Sequence, residues 1–149
     1  MGGMSKELRR FNYLMGEIDA AYHEAALNLG LSDSAMQILY VLCGCGGSFR
    51  CSLREVCLRS GLSKQTVNSA LRKLEGEGLA FLEPTGAKGK DVCLTGAGRA
   101  LAEGTAARLI AVEDAILGSW PAGDVEKYLS LTEQYLTAFR KEAKRLGNR

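Results

Sequence analysis

The stretch from Ser52 to Leu74, SLREVCLRSGLSKQTVNSALRKL, holds two short amphipathic helix patterns joined by Gly-Leu-Ser. Ser52 followed by Glu55 makes a capping box, with Cys51 and Val56 as its hydrophobic staple, so the first helix begins near Leu53. The second begins after Ser63, whose hydroxyl can satisfy an orphan amide of the first turn, while Leu62 and Val67 form the staple. Gly61 permits the reversal between them. Two capped helices so joined have the layout of a helix-turn-helix, in which the second helix enters the DNA major groove.

On that second helix Val67, Ala70, Leu71 and Leu74 fall at i, i+3, i+4 and i+7 and make one buried stripe. The opposite face carries Lys64, Gln65, Asn68, Ser69, Arg72 and Lys73, with no carboxylate before Glu75. These are the side-chain types that bind phosphates and read base edges. Net charge over the 149 residues is only +2, so its distribution matters more than its total. From Arg50 to Lys73 six cations (Arg50, Arg54, Arg59, Lys64, Arg72, Lys73) face one anion, Glu55, a local charge of +5 that leaves −3 for the rest. A basic patch on a nearly neutral chain fits localised phosphate contact.

The flanks extend the pattern. Leu8, Phe11, Met15, Ile18, Tyr22, Ala26 and Leu29 keep a spacing of three or four, which predicts a long amphipathic first helix ending at Gly30. Ser32 or Asp33 can cap a second helix through Met36, Leu39, Val41 and Leu42, stopped by the glycine-rich segment from Cys43 to Gly47 and followed by a short extended stretch from Phe49 to Cys51. After the second helix of the motif, residues 75–78 (EGEG) end it, Leu79–Leu82 and Val92–Thr95 read as strands, and Pro84–Lys90 reads as a turn carrying Lys88 and Lys90. A hairpin with a basic tip directly after a recognition helix is a wing, placed to set lysines at flanking phosphates or the minor groove. Thr95 is an N-cap for a long helix from about Ala97 to Gly118, and the break at residues 120–123 (WPAG) precedes a last helix striped by Val125, Tyr128, Leu129, Thr132, Tyr135, Leu136 and Phe139.

The predicted fold is therefore mainly α with a small β-hairpin wing: one domain over residues 1–149. Its winged helix-turn-helix DNA-binding lobe spans 32–96, and dimerisation helices occupy 1–31 and 97–146. The terminal helices carry more apolar surface than the small winged unit can bury, which predicts self-association. A two-fold dimer sets two recognition helices about 34 Å apart and demands a palindromic site.

The order helix, helix, helix-turn-helix, wing, helix, helix resembles the MarR family of winged-helix transcriptional regulators over nearly the whole chain. The likeness is carried by LSDSAMQILYVL at 31–42, GLSKQTVNSALRKLEGEGL at 61–79 and VCLTGAGRAL at 92–101. It implies an obligate homodimer that binds promoter double-stranded DNA, usually as a repressor, with small phenolic or other aromatic effectors bound between the dimerisation helices and the DNA-binding lobe. It also implies that Gln65, Thr66, Asn68, Ser69 and Arg72 face the groove. The full set assigned to DNA contact is Ser63, Lys64, Gln65, Thr66, Asn68, Ser69, Arg72, Lys73, Lys88 and Lys90. The wing departs from the family pattern. An Asp-x-Arg pair usually braces the hairpin, whereas here the tip is TGAKGKD, with lysines in place of the arginine.

Other chemistry is thinly represented. Five cysteines (Cys43, Cys45, Cys51, Cys57, Cys93) are spaced C-x-C-x5-C-x5-C through the first four, unlike the C-x-x-C pairs of a zinc site, so no metal and no cofactor is expected. Free, mostly buried thiols are the favoured reading. A thiol-based redox-sensing regulator through Cys43 and Cys45, at the end of a helix in an exposed glycine-rich segment, is the alternative. His23 is the lone histidine, and no base stands near a serine nor any glycine-rich phosphate loop after a strand, so the chain is not expected to be an enzyme. Tyr13, Tyr22, Tyr40, Trp120, Tyr128 and Tyr135 read as core or dimer interface before they read as an effector pocket. No apolar run reaches membrane-span length and the N-terminus lacks an apolar signal region, which points to a cytoplasmic protein without a membrane partner. A winged helix used as a protein-interaction module without DNA binding is the remaining alternative, one that has no need of the basic face.

Overall fold

The computed structural model describes residues 2–86 and 88–147; Met1, Ala87 of the predicted wing turn, Asn148 and Arg149 lie outside the described residues. The elements run α1 (Lys6–Asn28), α2 (Asp33–Cys43), β1 (Arg50–Ser52), α3 (Leu53–Ser60), α4 (Lys64–Gly76), β2 (Ala80–Thr85), β3 (Gly89–Leu94), α5 (Gly96–Gly104), α6 (Ala106–Gly118) and α7 (Ala122–Leu146). The chain divides into two compact units, Met1–Ile110 and Ala111–Arg149.

Local capping chemistry starts most helices of the first unit. The Ser5, Ser32, Ser52 and Ser63 hydroxyls accept the amides of Leu8, Ala35, Glu55 and Thr66 at 3.0–3.2 Å. Ser32 is thus the cap of α2, and Asp33 instead turns its carboxylate to His23 Nδ1, 2.8 Å away on α1. Gly61 closes α3 in the left-handed region at φ 71°, where a side chain is strained. At the end of α4 the Leu79 amide bonds back to the Leu74 carbonyl at 2.9 Å with Gly78 at φ 74°, the Schellman closure that the EGEG segment predicts.

The core of this unit lies around α2, which packs on α3, α4, α5 and β1. Ile38, Leu39, Leu42, Val56, Val67, Leu71 and Val92 are fully enclosed, each side chain contributing about 1.5–3 kcal/mol of burial. The strands form an antiparallel sheet in the order β1-β3-β2. The extended stretch predicted near Phe49–Cys51 is therefore a third strand, pairing Arg50 with Cys93 and Ser52 with Asp91.

The hairpin is longer than the sequence pattern suggests. Pro84 and Lys90, read as turn, are paired strand residues, because β2 is an edge strand and a proline there costs no ladder bond. The helix predicted as continuous from Ala97 to Gly118 is two helices. Thr105 breaks it at φ −129°, ψ −87°: its buried hydroxyl donates to the Leu101 carbonyl at 2.6 Å, taking the acceptor that its own amide would use in an unbroken helix.

One junction ties wing, recognition helix and α5 together. The Thr95 amide donates to the Leu79 carbonyl at 3.0 Å, its hydroxyl donates to the Gly78 carbonyl at 2.7 Å, and the same oxygen caps α5 by accepting the Gly98 amide at 3.0 Å. Gly98 is packed so tightly here that a Cβ would overlap the Leu79 carbonyl. Leu-Thr-x-x-Gly is thus a geometric requirement of this corner.

In the second unit α7 buries no residue. Trp120 and Tyr128 meet edge to face at 5.6 Å across the Pro121 start of α7, and the Tyr135 and Phe139 rings lie parallel at 6.1 Å. Among the described residues no single helix is long and apolar enough to cross a membrane. Replacing Gly98 by Ala is expected to lower stability by about 1–3 kcal/mol through overpacking, whereas Gly96→Ala, with open space around it, should stay within about 0.5 kcal/mol. Urea unfolding of the two variants separates these outcomes.

Candidate nucleic-acid interface

Helix α4 buries Val67, Leu71 and Leu74, and at about 100° per residue Gln65, Ser69 and Arg72 point directly away from that stripe. These three are exposed, as are Lys64 and Thr66, while Asn68 is half-buried at the margin. The Ser63 hydroxyl is occupied: it caps α4 and donates to Thr66 Oγ1 at 2.8 Å, so both groups serve the helix start. Lys73 is exposed but stands on the flank toward Ala70, where it lines a pocket of about 320 Å³ with Leu31, Ser34, Ala35, Glu77 and Leu101. The structure therefore brings Lys64, Gln65, Asn68, Ser69 and Arg72 onto one surface and sets Lys73 apart from its centre.

Lys88 and Lys90 are exposed on the wing. Lys88 lies in the turn; Lys90 lies within β3 opposite Pro84. The expectation of a wing without an arginine brace needs correction, because Arg50 on β1 supplies one from the far side of the sheet. Its Nε donates to Asp91 Oδ2 on β3 at 2.7 Å and its Nη1 to Glu83 Oε2 on β2 at 3.2 Å, so one guanidinium spans all three strands. The hydrogen bond to Asp91, and after it the bond to Glu83, raises the Arg50 pKa above its ordinary range. Arg50 is thereby removed from the cations read as available for phosphate, and the wing gains a fixed base. Sequence spacing gave no sign of this, since the partners are 33 and 41 positions away.

The strand entrance is also fixed. Phe49 sits at φ 49°, a left-handed conformation unusual for a bulky residue, with the Arg99 guanidinium 5.8 Å from its ring centre and Arg99 Nη2 donating to the Ser48 carbonyl at 3.3 Å.

The thiols are placed differently from the sequence reading. Cys43 and Cys45, expected in an exposed segment, are both half-buried and packed against the core. Burial, and then the Glu103 carboxylate, pushes the Cys43 thiol up. Burial likewise pushes up Cys93. Among the described residues no group of three or more His, Cys, Asp or Glu could hold a metal ion.

Residues 29–91, the segment from the end of α1 into the wing, match the model of the MarR family. The winged lobe is thus similar to that of MarR-family regulators. Solved MarR-family structures share the arrangement of the chain. A regulator from Neisseria meningitidis aligns over 95% of this chain and 99% of its own at 15% identity and a TM-score of 0.81. A Streptomyces coelicolor regulator solved in complex with DNA aligns over 92% and 90% at 16% identity and a TM-score of 0.68. The PcaV regulator of the same organism, in complex with its natural ligand, aligns over 93% and 99% at 17% identity and a TM-score of 0.64. At these identities the likeness is one of fold. No curated protein matches the sequence.

In this winged lobe Arg50→Ala should loosen the wing locally. Hydrogen exchange of the β2–β3 amides near Glu83 and Asp91 is expected to speed up, with global unfolding little changed, since the ion pairs are solvent-exposed. Unchanged exchange at those amides would remove Arg50 as the brace.

Proposed function

We propose that the chain is a homodimeric, DNA-binding transcriptional regulator of the cytoplasm, a repressor that reads a pseudo-palindromic operator and is released by a small aromatic effector. The observation that carries this reading is the surface of α4: exposed Lys64, Gln65, Ser69 and Arg72 with half-buried Asn68, on a helix whose rotation is fixed by its buried stripe. Gln, Asn and Arg pair bidentately with adenine and guanine edges in the major groove. Lys88 and Lys90 then reach backbone phosphate from a braced wing. A relative of this fold has been solved on DNA and another with its natural ligand, which supports both halves of the reading. A family of regulators likewise favours a binding protein over an enzyme.

Dimerisation is supported by exposed apolar side chains on each terminal element taken separately. Leu8, Met15 and Ile18 of α1, and Leu129, Leu131, Leu136 and Phe139 of α7, are each more than 40% exposed. A second copy of the chain is the occupant that a two-fold operator requires. For the effector, the pocket beside Lys73 offers apolar walls with one cation and one carboxylate, at a volume suited to a small molecule, and it abuts the end of α4. An occupant there biases the separation of two recognition helices that must meet both half-sites at once.

Binding to a random duplex library at several salt concentrations tests the reading. Selection of a palindrome supports it, and sequence-blind binding, or none at low salt, contradicts it in favour of an interaction module. Arg72→Ala is expected to cost about 1–3 kcal/mol at specific sites and to relax one position, whereas Lys88→Ala should weaken all sequences alike and reduce the salt slope by about 1. Sedimentation equilibrium should report a dimer; Leu129→Glu with Leu136→Glu should give monomers that bind a half-site weakly. A wild-type monomer at micromolar concentration rejects the two-fold arrangement.

A further inference from the structure

The pocket beside the end of α4 holds two opposite charges that the protein leaves unpaired. Lys73 and Glu77 both line it, and both are exposed. The Glu77 amide donates to the Lys73 carbonyl at 3.1 Å, so the two residues stand one helical turn apart on the same side of α4. Among the described residues neither takes part in an ion pair; the pairs present are His23–Asp33, Arg50–Glu83, Arg50–Asp91 and Arg145–Glu142. Lysine before glutamate is the less favourable order for such a pair along a helix, which leaves both side chains free for a ligand. The helix ends add the same polarity. α2 begins at the pocket, with Ser32, Ser34 and Ala35 on its wall, and its amide end favours negative charge. α4 terminates there at Glu77, and its carbonyl end favours positive charge. Asp33, in the same first turn of α2, is engaged by His23 at 2.8 Å. The remaining wall is apolar: Leu31, Ala70, Leu74, Leu79 and Leu101.

We propose that this pocket binds a zwitterion with an apolar body, an α-amino acid with an aromatic side chain, its carboxylate on Lys73 and its ammonium on Glu77. The proposal rests on the reading of this pocket as the effector site and names the class of effector. Selectivity follows from charge. A ligand with a carboxylate alone pairs with Lys73 but sets its negative charge beside an uncompensated Glu77, and an amine alone meets the converse at Lys73. A zwitterion neutralises both side chains at once. Residues one turn apart are separated by about 6 Å along the helix axis, so each can reach one of two charged groups carried on a single carbon. The volume of about 320 Å³ lies at the small end of ligand pockets and suits one such molecule, with its ring against the leucines. Lys73, set apart from the centre of the α4 surface, acquires a role here in ligand binding.

Isothermal titration calorimetry of the full chain at neutral pH tests this with three ligands of one scaffold. L-Phenylalanine carries both charges, 3-phenylpropanoate lacks the ammonium, and phenethylamine lacks the carboxylate. L-Phenylalanine is expected to bind roughly tenfold more tightly than either, since each analogue forfeits one charge-assisted contact. Glu77→Gln should weaken L-phenylalanine by about tenfold and make 3-phenylpropanoate an equal or better ligand, and Lys73→Met should shift the preference to phenethylamine in the same way. Either one-charge analogue matching L-phenylalanine in the wild-type chain, no heat from L-phenylalanine at millimolar concentration, or an unchanged ranking in Glu77→Gln would each overturn the assignment. The wild-type ranking decides by itself, so a variant that fails to fold does not shelter the proposal. Release of a selected DNA duplex, followed by fluorescence anisotropy, separates this inference from the effector reading beneath it. Release by 3-phenylpropanoate but not by L-phenylalanine keeps the effector reading and rejects the zwitterion. Binding of L-phenylalanine with no release keeps the zwitterion site and rejects the effector reading.

Discussion

An α-helix that buries Val67, Leu71 and Leu74 has no freedom over where Gln65, Ser69 and Arg72 point. Rotating α4 by one residue would swing that stripe out of the core and move half-buried Asn68 toward it, forfeiting several kcal/mol of burial and stranding a polar amide. The partners that set this rotation are α2 and β2, both packed on α4. The Ser63 cap fixes where the helix begins, and the Schellman closure at Gly78 fixes where it ends. The outward surface is therefore a by-product of the inward one, and its chemistry is what remains for recognition.

The wing is set by a different kind of bond. β2 and β3 alone form a hairpin with little core of its own, and isolated hairpins are marginal in water. Here β1 adds a third strand, the Arg50 guanidinium grips Asp91 and Glu83 across the sheet, and Thr95 with Gly98 locks the hairpin base to the end of α4. The recognition helix and the wing consequently share one rigid corner, so Lys88 and Lys90 keep a fixed relation to Gln65 and Arg72.

What the sequence disclosed follows from how far each determinant reaches. Caps at Ser52, Ser63 and Thr95 are legible because a side chain and the amide it bonds lie three residues apart. The buried stripe of α4 is legible because helical periodicity is local. The break at Thr105 was hidden, since Gly104 and Thr105 sit inside an otherwise regular apolar pattern and the deciding bond is a side chain's competition for the Leu101 carbonyl. Arg50 was misread as a free cation because its carboxylates arrive from other strands. Pro84 pushed the strand reading short, because its place on an edge is a property of the sheet.

The central claim is that two copies of the α4 surface read DNA together. Hydroxyl-radical and dimethyl-sulfate footprinting on a selected site measures it most directly. The account predicts two protected major-groove patches on one face of the duplex, centred about one helical turn (10–10.5 base pairs) or a multiple of it apart, flanked by phosphate protection from the wings. A single patch, or protection spread evenly along the duplex, would contradict it.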